Sequence, residues 1–255
     1  MNKIIKILSV ILFLSNACSG RKGEQKEEQI PISESSNFND SSNSILENIS
    51  MSKIPTVPNA VILTGLINHR LVTVYKSKIP VEATRNNYKY GYSGYRGESE
   101  KEEHYMPGID VLYGYNLLNI AHYDLKTEKL NFLFDRAALI KTLYYPSFIQ
   151  DSIAMKPINR DYFLVSAYDE DTNKDTLINK KDLRKFYHFN ADCSVKTQLI
   201  PANYSVLRSQ YDSQKDLMYL FAAFDENSNG TRDPKEPIHI FWINLKNPVE
   251  AKRLY

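Results

Sequence analysis

Short apolar runs alternate with polar turns from about Pro55 to the end of the chain. The runs are rich in aromatic and β-branched residues and are bounded by Asn, Asp, Gly, Pro and Lys; the clearest are AVILTGL, RLVTVYK, IDVLYGY, YFLVSAY, RKFYHFN, VKTQLI, LMYLFAAF and IHIFWINL. This pattern is typical of β-strands. The best helix candidate is residues 137–149, which Pro146 interrupts, and a further strand is the alternative. The pattern predicts an all-β domain over residues 55–255.

A repeated unit is visible in this domain. Three segments read as a strand, a polar turn and a closing strand: LNIAHYDLKTEKLNFLF (118–134), RKFYHFNADCSVKTQLI (184–200) and HIFWINLKNPVEAKRLY (239–255). The last two follow similar segments, DYFLVSAYDEDTN and DLMYLFAAFDENSN, and before each of these lies one more short candidate strand, residues 152–158 or 205–211. The unit is therefore predicted to be a four-stranded antiparallel meander.

Such a unit resembles the blade of a β-propeller. Propellers usually have about four to eight blades, and residues 55–255 have room for about four units of this length. The resemblance implies a small β-propeller-like fold. A β-sandwich built from similar hairpins is the alternative.

The N-terminal segment, MNKIIKILSVILFLSNAC, has the features of a secretory signal. Lys3 and Lys6 precede an apolar run, and small or polar residues lead to Cys18. The run is too short for a membrane-spanning helix, so residues 1–17 are predicted to be a signal peptide.

Cys18, directly after Ala17, resembles the lipobox cysteine of bacterial lipoproteins, although Ser15 stands where that motif usually has leucine. The resemblance implies cleavage before Cys18 and lipidation of its thiol. It also implies a membrane-anchored lipoprotein of the cell envelope, in the outer membrane of a Gram-negative bacterium. A signal peptide that is cut nearby without lipidation is the alternative.

Residues 18–54 differ in composition from the rest of the chain. They are rich in Ser, Asn, Glu and Lys and poor in aromatic residues, so they cannot bury enough apolar surface to fold alone. We interpret them as a flexible tether with a reach of roughly 30–35 Å. If Cys18 is lipidated, Cys193 is the only other cysteine, so no internal disulfide can form.

The formal net charge is only +2, with charges of both signs throughout, which argues against nucleic-acid binding.

One polar loop, residues 225–236 (DENSNGTRDPKE, the 225 loop), spaces oxygen atoms as a calcium ion requires. In the register of an EF-hand, Gly230 takes the sixth position, and the ligands are Asp225, Asn227, Asn229, the Thr231 carbonyl, Asp233 and Glu236. The loop also resembles the calcium loops of bacterial surface-adhesin repeats. Its flanks read as strands rather than helices, which favours a hairpin that Ca²⁺ makes rigid over a sensor that opens.

A second loop, residues 171–182 (the 171 loop), resembles the calcium loop of dockerins. Its matching positions are Asp171, Asn173, Asp175, the Leu177 carbonyl, Asn179 and Asp182, and Asp169 is an extra candidate because it aligns with Asp225 in the repeat. Thr176 stands where the loop requires glycine, so it is expected to be strained. For both loops the alternative is an Asp/Asn-rich turn without metal.

The predicted function is that of a non-enzymatic, calcium-binding lipoprotein. Calcium would make β-hairpin loops rigid in a domain that acts as a scaffold or binds a protein or glycan partner at the envelope. The alternative is an envelope hydrolase, perhaps glycan-directed, with structural calcium. Tyr88, Tyr90 and Tyr92 fall on one side of a predicted strand, which favours a half-buried strand face over a stacking platform.

Overall fold

The structure is a computed structural model that describes residues 30–31, 56–76 and 106–255. The signal peptide, Cys18, the tyrosines of residues 88–92 and the rest of the predicted tether lie outside these ranges. Within them no helix has the length and hydrophobicity to cross a membrane.

The prediction of an all-β, antiparallel fold is confirmed. The strands are β1 (Ile30–Pro31), β2 (Thr56–Leu63), β3 (His69–Lys76), β4 (Ile109–Asp124), β5 (Lys129–Phe132), β6 (Leu139–Pro146), β7 (Asp151–Ile153), β8 (Lys156–Ile158), β9 (Tyr162–Tyr168), β10 (Leu177–Ile178), β11 (Lys185–Asn190), β12 (Lys196–Gln198), β13 (Tyr204–Asp212), β14 (Leu217–Phe224), β15 (Ile238–Asn244) and β16 (Ala251–Arg253).

The last repeat has the predicted form. Strands β13, β14, β15 and β16 make a separate four-stranded sheet in chain order. The other long strands instead form one eight-stranded sheet in the order β12-β11-β9-β6-β4-β3-β2, with β5 beside β4. The described strands form neither a closed sheet nor a propeller, so the predicted β-propeller-like arrangement of about four separate units is not found among them.

Strand β4 explains why the first two repeats are not separate. It is 16 residues long. Its C-terminal half pairs with β3 and β5, as a meander requires, but residues 109–113 and Leu117 pair with β6. One strand therefore belongs to two successive meanders and joins them into one sheet.

One local prediction was wrong, and the structure decides between the two alternatives for a second segment. Residues 152–158 do not supply the first strand of the second repeat, because β7 and β8 pair only with each other in a small hairpin. Strand β6 takes that place beside β9. It lies in the segment considered as a helix, and Pro146 forms its last residue.

Both faces of the large sheet are buried where it carries the 171 loop. Alternate residues of β9 point to opposite sides: Leu164 joins a core shared with the four-stranded sheet, and Phe163 and Val165 join a second core on the other face. Met218 and Phe241, from the four-stranded sheet, belong to the same core as Leu164. Burial on both faces accounts for the unbroken apolar run of β9.

A buried ion pair ties the two sheets together. Arg160 precedes β9, and Asp216 lies in the turn between β13 and β14. The guanidinium donates to both carboxylate oxygens, at 2.7 and 3.0 Å, and also to the carbonyls of Leu245 and Pro107. Bidentate geometry and further carbonyl partners compensate the guanidinium for its loss of water.

We expect the D216N variant to lose about 3–5 kcal/mol of unfolding free energy, because it leaves the Arg160 charge buried without a counter-charge. Asn tolerates the left-handed backbone of this residue, whose φ is 56°. Urea unfolding in excess EDTA measures the change.

The matched control is E250Q, at the exposed pair of Glu250 and Lys252, whose charged atoms are 3.0 Å apart. Its loss should stay below about 1 kcal/mol. Equal losses in the two variants would contradict the role assigned to the buried pair.

Candidate metal-binding loops

Each candidate loop connects two neighbouring antiparallel strands. The 171 loop lies between β9 and β11, and the 225 loop lies between β14 and β15. Both therefore occupy the same place, between the second and third strands of a meander. Within the 171 loop, the backbone of Leu177–Ile178 (β10) pairs with that of Ile30–Pro31 (β1).

The 225 loop is wound around the side chains of its first residues. The Asp225 carboxylate accepts the N–H groups of Asn229 at 3.1 Å and Gly230 at 2.9 Å. The Asn227 side-chain oxygen accepts the N–H of Asn229 at 3.0 Å, and the Asn229 side-chain oxygen accepts that of Thr231 at 2.7 Å. The first, third and fifth residues thus direct oxygen atoms to the inside of the turn.

The 171 loop repeats this arrangement with different residues. The Asp171 carboxylate accepts the N–H groups of Asp175 and Thr176, both at 3.0 Å. The Asn173 side-chain oxygen accepts the N–H of Asp175 at 2.9 Å, and an Asp175 carboxylate oxygen accepts that of Leu177 at 3.0 Å. The same three loop positions accept from the same backbone positions in both loops.

The polar side chains of the 225 loop converge on Asp233, its ninth residue. The amides of Asn227 and Asn229 donate to one Asp233 carboxylate oxygen, at 3.4 and 3.0 Å. Glu236, the twelfth residue, accepts the Asp233 N–H at 3.0 Å through one oxygen, while its other oxygen is buried without a partner. Burial raises the pKa of Glu236, and the negative charges of Asp225 and Asp233 raise it further.

The twelfth residue of the 171 loop is more fully used by the protein itself. Asp182 accepts the Asn179 N–H at 2.8 Å through one oxygen, and the Thr172 N–H at 2.8 Å through the other. Its side chain is buried, and burial raises its pKa. Aspartate is one methylene shorter than glutamate, and both of its oxygens are engaged here, unlike those of Glu236.

Asp169 follows β9 directly, as Asp225 follows β14, so the repeat alignment holds at the strand ends. The hydrogen bonds of the two loops nevertheless give the role of Asp225 to Asp171, two residues later. Asp169 instead accepts the hydroxyl of Tyr187 at 2.6 Å beside β11. Burial raises its pKa.

Within the described ranges, no group of three or more His, Cys, Asp or Glu side chains has the spacing of a metal site. A calcium loop draws part of its ligand set from amide and backbone oxygens. Both loops are of this mixed kind, since Asn227, Asn229, Asn173 and Asn179 hold four of the candidate positions. The residue types in both loops suit a calcium ion, and in the 225 loop the side chains also converge on Asp233.

No protein-family model matches the chain, and no curated protein matches it either. The resemblances of the N-terminus to bacterial lipoproteins, and of the two loops to dockerin and adhesin loops, remain predictions from sequence.

The sixth position of both loops has a left-handed backbone. Gly230 has a φ of 70° and Thr176 a φ of 69°. Glycine adopts this conformation freely, whereas a β-branched residue is strained there. The strain expected at Thr176 from the sequence is therefore present in the structure.

We expect the T176G variant to gain about 1 kcal/mol of unfolding free energy in excess EDTA, because it removes this strain. The matched control is T197G, at an exposed position of β12 with ordinary backbone geometry, which should lose about 1 kcal/mol. A loss of the same size in T176G would show that Thr176 is not strained.

A histidine pair lies away from the loops. His69 in β3 and His122 in β4 share a hydrogen bond of 2.9 Å, and the other nitrogen of His122 is buried without a partner. Their separation in the sequence gives no sign of this contact, which follows from the strand register. Burial and the neighbouring His69 lower the pKa of His122, although Asp124 and Asp192 act in the opposite direction.

A lowered histidine pKa makes stability depend on pH. The unfolded chain gains a proton near pH 6.5, whereas folded His122 gains its proton only at a lower pH, so His122 reduces stability as the pH falls below about 6.5. We expect H122Q to lose less unfolding free energy than the unchanged protein between pH 7.5 and 5.5, measured by urea titrations in EDTA. Parallel losses would contradict the assignment.

Proposed function

We propose that this protein is a calcium-binding lipoprotein of the cell envelope, in which two calcium ions make the ends of two β-hairpins rigid. One observation carries the proposal. Two loops of different sequence, at equivalent places in two meanders, direct oxygens from the same positions with the same hydrogen bonds. An Asp/Asn-rich turn that binds no ligand has no physical reason to keep the same spacing of oxygen atoms along the whole loop.

Charge supports a cation in the 225 loop. Asp225, Asp233 and Glu236 bring three carboxyl groups to one hairpin end, and one Glu236 oxygen is buried without a hydrogen bond. A buried carboxylate oxygen without a partner is costly. A divalent cation would satisfy this oxygen and reduce the repulsion between the carboxylates.

Each loop offers a full ligand set for the ion. In the 225 loop the ligands would be the side chains of Asp225, Asn227, Asn229, Asp233 and Glu236 with the Thr231 carbonyl, and in the 171 loop those of Asp171, Asn173, Asp175, Asn179 and Asp182 with the Leu177 carbonyl. Calcium accepts such mixed oxygen sets readily, whereas Mg²⁺ is smaller and releases its water reluctantly.

Calcium would act on stability rather than on catalysis. The structure shows Cys193 as a free thiol, so no disulfide supports the described strands. An ion that binds only the folded state at 100 times its Kd adds about 2.7 kcal/mol. The blade-like meanders, with rigid loops at their ends, would then serve as a scaffold or a binding surface for a protein or glycan partner. Lipidated Cys18 would hold them at the membrane.

A thermal melt tests the proposal. We expect millimolar CaCl₂ to raise the Tm of the EDTA-treated chain by roughly 10–20 °C, because two ions together add about 5.4 kcal/mol and a domain of this size gains about 2–4 °C for each kcal/mol. MgCl₂ should raise the Tm much less. The D225N variant should lose a large part of the calcium shift, because it removes a carboxylate from the ligand set.

D124N is the matched control, because Asp124 caps an exposed hairpin turn by accepting the Lys126 N–H and the Thr127 hydroxyl. It should keep the full calcium shift. A Tm that calcium leaves unchanged would refute calcium as a structural ligand and reduce both loops to polar turns.

A further inference from the structure

The two candidate loops are in direct contact, although they belong to different sheets. The Thr172 hydroxyl, in the 171 loop, donates to the Gly230 carbonyl of the 225 loop at 2.6 Å. The Arg232 N–H of the 225 loop donates to the Lys181 carbonyl of the 171 loop at 3.2 Å. On the 225 loop, both bonds lie near the middle, at Gly230 and Arg232. On the 171 loop, they lie near the two ends, at Thr172 and Lys181.

Gly230 lies closer to the 171 loop than any other residue type would allow. A Cβ atom added to it would lie 1.9 Å from the Thr172 carbonyl oxygen and 3.0 Å from the Asn173 nitrogen. The glycine is therefore needed for two separate reasons, its left-handed φ and the space that Thr172 occupies. This close approach brings the two backbones together, in addition to the bond from the Thr172 hydroxyl.

Thr172 connects this contact to candidate ligands of both loops. Its own N–H donates to Asp182, the last ligand of the 171 loop, and its hydroxyl oxygen accepts the Leu183 N–H at 2.8 Å. On the other side, Gly230 lies between Asn229 and Thr231, which are ligands of the 225 loop. A short chain of bonds therefore runs from one ligand set to the other.

We propose that the two loops form one coupled site for two divalent cations, in which each ion strengthens the binding of the other. This inference rests on the proposed function. An ion in the 171 loop would hold Asp182 in a fixed position, and an ion in the 225 loop would hold the segment around Gly230. The shared backbone contact is then already ordered, so the second ion meets a loop that has less freedom left to lose.

Isothermal titration of the metal-free full chain with CaCl₂ tests the coupling. D171N leaves the 225 loop as the only intact site, and D225N leaves the 171 loop. The product of the two association constants of the unchanged chain should exceed the product of the two single-loop constants by about fivefold or more. Each ion must change the affinity for the other ion by the same factor, because the two binding free energies are linked.

A second pair of variants tests the contact without removing a ligand. T172V removes the hydroxyl that reaches Gly230 and should abolish most of the coupling, whereas T172S keeps the hydroxyl and should retain it. This pair also decides the matter if D171N or D225N fails to fold, because cooperative binding can be measured in the unchanged chain and lost in T172V alone.

The possible results distinguish the coupling between the loops from the proposed calcium binding. Two ions that bind with a coupling factor of one, in the unchanged chain and in T172V alike, would overturn the coupling and leave the proposed function standing. The absence of any calcium binding would overturn both. Binding in which T172V and T172S behave alike would show that the contact does not carry the coupling.

Discussion

The loops depend on a single kind of interaction, the bond between an aspartate carboxylate and two successive backbone N–H groups. Asp171 and Asp225 each accept the N–H groups of the fifth and sixth loop residues, which forces the chain to turn tightly and places the sixth residue at a positive φ. Because the backbone faces the carboxylate, the third and fifth side chains must turn in the same direction. One bonded carboxylate thus sets the positions of several oxygens.

The sheets supply the frame in which this interaction is useful. The hydrophobic core between the large and small sheets and the buried pair of Arg160 and Asp216 set β9 and β14 against each other. The loop that follows each strand then meets the loop that follows the other. Without that packing the two loops would be separate hairpin ends, and the contact between Thr172 and Gly230 could not form.

Much of this arrangement could be predicted from the sequence, because it depends on local spacing. The strand pattern, the four-stranded meander of residues 204–253 and the places of both loops between strands all follow from periodicity and turn chemistry. The strain at Thr176 also follows from one local fact, that its loop position requires a left-handed backbone.

The predictions that failed depend on contacts between residues that are far apart in the chain. Strand β4 extends into two meanders, and the alignment of Asp169 with Asp225 assumed equal connections after β9 and β14. The pairs of Arg160 with Asp216, His69 with His122 and Thr172 with Gly230 join residues far apart in the chain, and no spacing rule identifies them.

The proposed function requires two calcium ions, one in each loop. Native mass spectrometry of the full chain, exchanged into volatile buffer with calcium after EDTA treatment, measures it most directly. We expect a dominant species with two calcium ions, and a species with one calcium ion in the D171N or D225N variant. A chain that carries no calcium above the level bound nonspecifically by a protein without such loops would contradict it.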